Sequence, residues 1–128
     1  MELIIGGAFQ GKKAYAAEHC GVSGKDIVDG AAASYEDIFS CRCLCHFHEW
    51  IGARLREDRD LKGLELELIN RNPGLVLISN ELGYGVVPVD SFDRRYREET
   101  GRVCTRIAAK AQRVVRVTCG IGMVIKDD

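Results

Sequence analysis

The 128-residue chain carries 18 lysines and arginines against 19 aspartates and glutamates, a net charge of −1. This length suits one domain (residues 1–128) with a sizeable core, and the evenly mixed charge excludes an electrostatic case for nucleic acid. No apolar run is long enough for a membrane span, and the opening Met-Glu-Leu is not a basic-then-apolar leader, so the six cysteines are expected as reduced, mostly buried thiols of a cytoplasmic protein.

Residues 3–5 form a short continuous apolar run, as in a strand buried on both faces of a parallel sheet. A glycine-rich turn follows, and the alanines after it predict a helix over residues 12–19 that stops near Gly21. Residues 26–30 read as a second short strand ending on the acid Asp29. Residues 34–58 read as one long helix, with Ser34 as N-cap, Asp37 approximating a capping box, and Ile38, Leu44, Phe47, Ile51 and Leu55 as its apolar stripe. A further helix is expected over 64–71, up to the turn Asn72-Pro73-Gly74. Residues 75–79 are a strand. Residues 91–110 form a charged helix with Phe92, Tyr96, Val103 and Ile107 on one side and Gly101 as a candidate break. Residues 114–118 are a strand, and Gly120-Ile121-Gly122 turns the chain back as an antiparallel edge. Strands alternating with helices predict an α/β three-layer sandwich with a mainly parallel sheet and an antiparallel edge hairpin.

The turn after the first strand carries chemistry. In Gly6-Gly7-Ala8-Phe9-Gln10-Gly11-Lys12-Lys13, the glycines at 6 and 11 and the lysine at 12 satisfy the Walker A spacing. Several backbone N–H groups must converge on one phosphate there, in conformations that side chains forbid, and the following helix adds its positive end. Lys12 would neutralise the terminal phosphates. Lys13 departs from the motif, which wants Ser or Thr to ligate Mg²⁺. The competing reading is a plain strand-turn-helix with a glycine-rich connection.

Other residues have two readings each. Glu81 follows a strand at the sheet's carboxyl edge, where it would order Mg²⁺, a ribose or a substrate hydroxyl, or simply charge a turn. Arg94, Arg95 and Arg97 would reach phosphates of a neighbouring subunit or make a solvated face. Trp50 and Tyr84 read as packing elements, with base stacking open to Tyr84. Cys41, Cys43, Cys45, His46 and His48 offer soft metal ligands. On a helix Cys41, Cys45 and His48 share one face, and the plainer reading is thiols packed inward with histidines at the boundary.

Taken together, three segments resemble the adenosylcobinamide kinase/guanylyltransferase family. The loop is similar to that family's Gly-Gly-Ala-Arg-Ser-Gly-Lys-Ser. The run from Asn80 to Pro88 resembles Asn-Glu-Val-Gly-x-Gly-x-Val-Pro, and the run from Arg94 to Arg102 resembles Arg-x-Phe/Tyr-Arg-Asp/Glu-x-x-Gly-Arg. The resemblance implies a P-loop (RecA-like) form of that sandwich, a kinase using ATP or GTP with Mg²⁺, a corrinoid side-chain hydroxyl as acceptor, and subunits that associate, typically as trimers. It also aligns Asp29 with the family's Leu-Leu-Asp-Cys strand, which makes Asp29 the Walker B acid and metal ligand beside Lys12 and Glu81. Family members are longer, with the extra length expected between the first helix and second strand. The Arg-Ile-x-x-His-x-x-x-Arg-Pro context of the guanylylated histidine is absent, so guanylyl transfer is not expected and neither His46 nor His48 takes that role. Cys104-Thr105 stands where the family has Asn-Gln. Three classes remain: a small-molecule kinase, an inactive nucleotide-binding or regulatory relative, and a metal- or corrinoid-binding protein built on residues 41–48.

Overall fold

A computed structural model describes residues 1–82 and 90–128. The apolar runs become strands β1 (Glu2–Gly6), β2 (Ile27–Asp29), β3 (Cys43–Cys45), β4 (Val76–Asn80), β5 (Arg113–Thr118) and β6 (Ile121–Asp127). They form one sheet in the order β2-β3-β4-β1-β5-β6. All neighbours run parallel except β5 and β6, which pair antiparallel. The helices are α1 (Lys12–His19), α2 (Phe47–Arg56), α3 (Leu64–Arg71) and α4 (Ser91–Lys110). This is the expected P-loop sandwich, with the glycine-bearing β1 between β4 and β5. Among the described residues no helix is long and apolar enough to cross a membrane.

Strand alternation divides the core. Leu3, Leu44, Leu77 and Val114 point to one side, against Trp50, Ile51, Leu68, Val103 and Ile107 of α2, α3 and α4. Ile4, Cys43, Cys45, Ile78, Val115 and Val117 point to the other, where Tyr15 and Ala16 of α1 cover them. Residues 3–5 and 75–78 are therefore apolar in succession, as a sheet buried on both faces requires, while β5 leaves Arg116 and Thr118 exposed. Trp50 is a packing element, as read: it is wholly buried, and its indole N–H donates to the Ser34 carbonyl over 3.2 Å.

The long helix expected over 34–58 is not formed. That stretch contains a 3-10 turn (Glu36–Phe39), β3, and α2. The interval between Ile38 and Leu44 breaks the helical stripe. Leu44 enters one half of the core, while Cys43 and Cys45 enter the other, which is the alternation of a strand. Cys41, Cys45 and His48 consequently share no helix face. Asp37 still acts near the expected cap, accepting from the Ser34 N–H at 2.8 Å. Asn72 fastens the same turn, its amide donating to the carbonyls of Ile38 (2.9 Å) and Cys41 (2.8 Å).

Two smaller expectations also change. Gly101 does not break α4, which runs on to Lys110. All the cysteines are free, but only Cys43 and Cys45 are fully buried; Cys20, Cys41 and Cys104 are partly covered and Cys119 is exposed. The antiparallel edge follows the expectation, turning at Cys119 (φ 51°) and Gly120 (φ 76°), the positive-φ pair that a tight hairpin favours.

Candidate functional site

The glycine loop leaves β1 and enters α1 at the sheet's carboxyl edge. A Cβ on Gly6 would lie 2.5 Å from the Val117 carbonyl oxygen, so only glycine lets the loop pass β5. Gly11 turns into the helix with φ 87°, and Phe9 also has positive φ (60°) with its ring fully exposed. Gln10 fixes the loop from the far end of the chain. Its side-chain oxygen accepts from the Cys119 N–H (2.6 Å), and its carbonyl accepts from the Gly120 N–H (2.8 Å). The β5–β6 turn is thereby a clamp on the loop.

Lys12 is the first residue of α1 and is 8% exposed. Its Nζ donates to the carbonyls of Gly7 (2.6 Å) and Gly6 (3.3 Å), which hold the ammonium over the loop. Burial lowers its pKa, and the Glu81 carboxylate works in the opposite direction. Beside it lies a cavity of about 290 Å³, bounded by residues 9–14 on one side and by Cys45, His46, Ile78 and Asn80 on the other. Gly6, Gly7 and Ala8 lead the chain into this loop, and Lys13 borders the cavity next to Lys12.

Asp29 stands at the end of the edge strand β2, in register with Cys45. Its Oδ1 accepts from the Ala31 N–H at 2.9 Å and lies 2.9 Å from Nδ1 of His46. The hydrogen bond from His46, then that from Ala31, with a contribution from the Lys13 charge, holds its carboxyl below the usual range. Asp29 is not among the residues lining the cavity; β3 brings Cys45 and His46 there instead. His46 caps α2 from a left-handed conformation (φ 52°), with Cys45 Sγ 3.8 Å and Glu49 Oε2 3.6 Å from its Nδ1.

Glu81 follows β4, and its N–H donates to the Gly6 carbonyl at 2.9 Å, which ties the strand end to the loop. Its carboxylate pairs with Arg116 of β5, Oε1 to Nε at 2.8 Å and Oε2 to Nη2 at 3.1 Å. It also borders a second cavity of about 210 Å³ with Ile5, Asn80, Leu82 and Thr100. Arg94 and Arg95 are exposed on α4, while Arg97 is partly covered. Tyr84 and the turn from Gly83 to Pro88 lie outside the described residues.

The sequence offers His48 as a soft ligand or, more plainly, as a histidine at a helix boundary, and the structure gives it another part. It is buried in the first turn of α2, and its Nδ1 accepts from the Asn80 N–H at 3.1 Å, which leaves the ring proton on Nε2. Burial, reinforced by the charges of His46 and Lys12, pushes its pKa down to about 4. No local pattern announces this strut between α2 and β4, nor the Arg116–Glu81 pair.

A Mg²⁺ ion in a P-loop is held by the Ser or Thr after the lysine and by a strand-end aspartate. Here Lys13 offers an ammonium and β3 ends on Cys45, and the carboxylates nearest that side, Asp29 and Glu49, both lie against His46. These residues do not fit Mg²⁺ held in that way.

Comparison with known proteins agrees with the motifs downstream of the loop. The profile of the family described as cobinamide kinase / cobinamide phosphate guanyltransferase matches residues 43–125, from β3 into β6, beginning beyond the glycine loop. The bifunctional adenosylcobalamin biosynthesis protein CobP of Pseudomonas aeruginosa is 39% identical over 64 residues, 49% of this chain and 37% of that protein. The bifunctional adenosylcobalamin biosynthesis proteins CobU of Salmonella typhimurium and Escherichia coli are 46% and 44% identical over 52 residues, 41% of this chain and 29% of each. The chain thus matches about a third of the length of these curated relatives. Because the family profile takes in more than half of it, the chain belongs to the cobinamide kinase / cobinamide phosphate guanyltransferase family.

Proposed function

We propose that the chain binds ATP or GTP at the loop from Gly6 to Lys13 and acts as a cobinamide-kinase-like phosphotransferase, moving the terminal phosphoryl group to a corrinoid side-chain hydroxyl such as that of adenosylcobinamide. One observation carries this reading: a buried ammonium, Lys12 Nζ, held on the carbonyls of Gly6 and Gly7 beside an open cavity at a helix start. A phosphate entering there would meet that charge and the loop N–H groups together. Lys12 neutralises the phosphates in this scheme. Glu81, tied to Gly6 and next to the second cavity, orients the acceptor hydroxyl. Asp29 supplies negative charge on the far side through His46. Guanylyl transfer is not part of the proposal.

A second reading, nucleotide binding without turnover in a regulatory relative, is favoured by Lys13 and Cys45, which stand where an Mg²⁺-dependent kinase needs a hydroxyl and an acid. Calorimetric titration with ATP and GTP, with and without Mg²⁺, followed by a phosphate-transfer assay on adenosylcobinamide, separates the readings. The expected result is saturable binding of one nucleotide with little Mg²⁺ dependence, then transfer. Binding without transfer supports the second reading, and no binding of either nucleotide removes both.

The proposal includes self-association in the cytoplasm, as trimers by the family resemblance. The edge strand β6 exposes Ile121, Met123, Val124 and Ile125, an apolar row of the kind that pairing between subunits covers. Light scattering at roughly tens of micromolar protein, which reveals stable interfaces, should give a mass above that of the monomer. A monomer at that concentration counts against assembly.

A further inference from the structure

We infer that Asp29, Cys45 and His46 form a binding site for a thiophilic divalent ion, of the zinc class, at the edge of the phosphate-loop cavity. A carboxylate oxygen, a thiol sulfur and an imidazole nitrogen from these residues all lie within 4.8 Å of one another. His46 Nδ1 is 2.9 Å from Asp29 Oδ1 and 3.8 Å from Cys45 Sγ. Tetrahedral zinc, with bonds of about 2.0–2.3 Å, sets its ligand atoms roughly 3.3–3.6 Å apart. The nitrogen has to open slightly from the carboxylate and close slightly on the sulfur, and the carboxylate and sulfur, up to 4.8 Å apart, have to close by about 1 Å. The exposed Asp29 side chain has room for most of that adjustment.

The backbone beneath these ligands is already fixed. Asp29 and Cys45 are register partners on β2 and β3, and the Gly30 N–H donates to the Cys45 carbonyl at 2.8 Å. A Cβ at residue 30 would lie 2.6 Å from the His46 carbonyl oxygen and 2.7 Å from that of Cys45, so the close approach of the two strand ends depends on glycine there. The Ala31 N–H holds Asp29 Oδ1.

The donor set decides the class of metal. One oxygen, one nitrogen and one sulfur suit zinc or cobalt and are poor for magnesium, which wants oxygen ligands throughout. Three protein ligands leave the fourth position of a tetrahedral ion open. Cys45 and His46 both line the loop cavity, so a water or a phosphate oxygen in that cavity can take it. The site would restore a divalent charge beside a loop whose Lys13 cannot coordinate one. On binding, the Cys45 S–H bond is exchanged for a metal–sulfur bond, and its proton passes to the buffer. Metal affinity is measured on the nucleotide-free chain, so the inference stands or falls separately from the nucleotide reading.

Cobalt(II) is the probe. Titrated into the untagged, reduced chain without nucleotide, it should give a thiolate-to-cobalt charge-transfer band that saturates at one equivalent and is displaced by Zn²⁺. Cys45→Ser should remove the band, and His46→Ala and Asp29→Asn should each weaken binding by about tenfold or more. Cys119→Ser, which alters the exposed thiol, should leave the titration unchanged. The assignment is overturned by the absence of a band, by a band that survives Cys45→Ser, or by one lost with Cys119→Ser. Circular dichroism checks that each variant folds. Should the buried change at Cys45 prevent folding, unchanged cobalt affinity in the exposed Asp29→Asn variant overturns the site by itself.

Discussion

Between pH 7 and pH 4 the chain should lose about 3 kcal/mol of folding stability through His48, and His48→Asn should prevent that loss. His48 is buried, and its pKa falls from 6.5 to about 4, because burial, and then the charges of His46 and Lys12, disfavour the imidazolium. The unfolded chain takes up this proton near pH 6.5, whereas the folded chain resists until about pH 4. The unfolded state therefore binds more protons throughout that window, and stability falls as the pH falls. Below it both states are protonated and this contribution is flat. Asp26 and Asp29, whose pKa values are lowered from 3.8, begin to lose their contributions near pH 4 and lose most of them below it, so they add little to the change within this window, and both proteins share it. Asparagine places an oxygen where Nδ1 accepts from the Asn80 N–H and never titrates in this range. Urea unfolding at several pH values should show the wild-type stability falling and the variant's nearly level. Parallel decline in the two proteins would remove His48 as the cause. The strut ends on Asn80, one residue before the Glu81 N–H that holds the Gly6 carbonyl, so acid weakening should also reach the phosphate loop.

What the sequence made legible was local. Residues 3–5, 75–79 and 114–118 read as strands because apolar residues crowd them, without interruption at 3–5 and 75–78 and at positions 114, 115 and 117 of the last, and β1, β4 and β5 are central in the sheet. Helices α3 and α4 follow their expected bounds because their turns and caps lie within a few residues; Asp90, for instance, accepts from the N–H groups of Phe92 and Asp93. The glycine loop was legible for the same reason. β3 was not. Three residues, Cys43-Leu44-Cys45, carry no periodicity of their own, and what makes them a strand is the β2 and β4 backbones on either side. The helical reading of 34–58 failed there, and with it the face assigned to Cys41, Cys45 and His48. The site's remaining contacts span long separations. Gln10 meets Cys119, Asp29 meets His46, and Glu81 meets Arg116, pairings set by sheet order rather than spacing. The resemblance in the second half of the chain extends through β3, where the matching family profile begins.

Lys12→Ala is expected to weaken nucleotide binding by about 1.5–3 kcal/mol, roughly ten- to hundredfold. The side chain lies buried against the loop with its ammonium on the Gly6 and Gly7 carbonyls, so its charge is already placed and little conformational freedom remains to be lost when phosphate arrives. Alanine removes that charge and leaves the loop N–H groups and Lys13 to hold the anion. Lys12→Arg should not rescue it, because a planar guanidinium does not fit a slot shaped for one ammonium between two carbonyls. Lys13→Ser tests the other half of the loop. It restores the hydroxyl that a P-loop uses on Mg²⁺, and it removes a cation that partly stands in for the ion. Nucleotide binding by Lys13→Ser should become more dependent on Mg²⁺ than in the wild type, and any phosphoryl transfer should accelerate. If Lys12→Ala binds as well as wild type, or if titration detects no nucleotide and Lys13→Ser rescues none, the loop does not hold phosphate and the kinase reading goes with it.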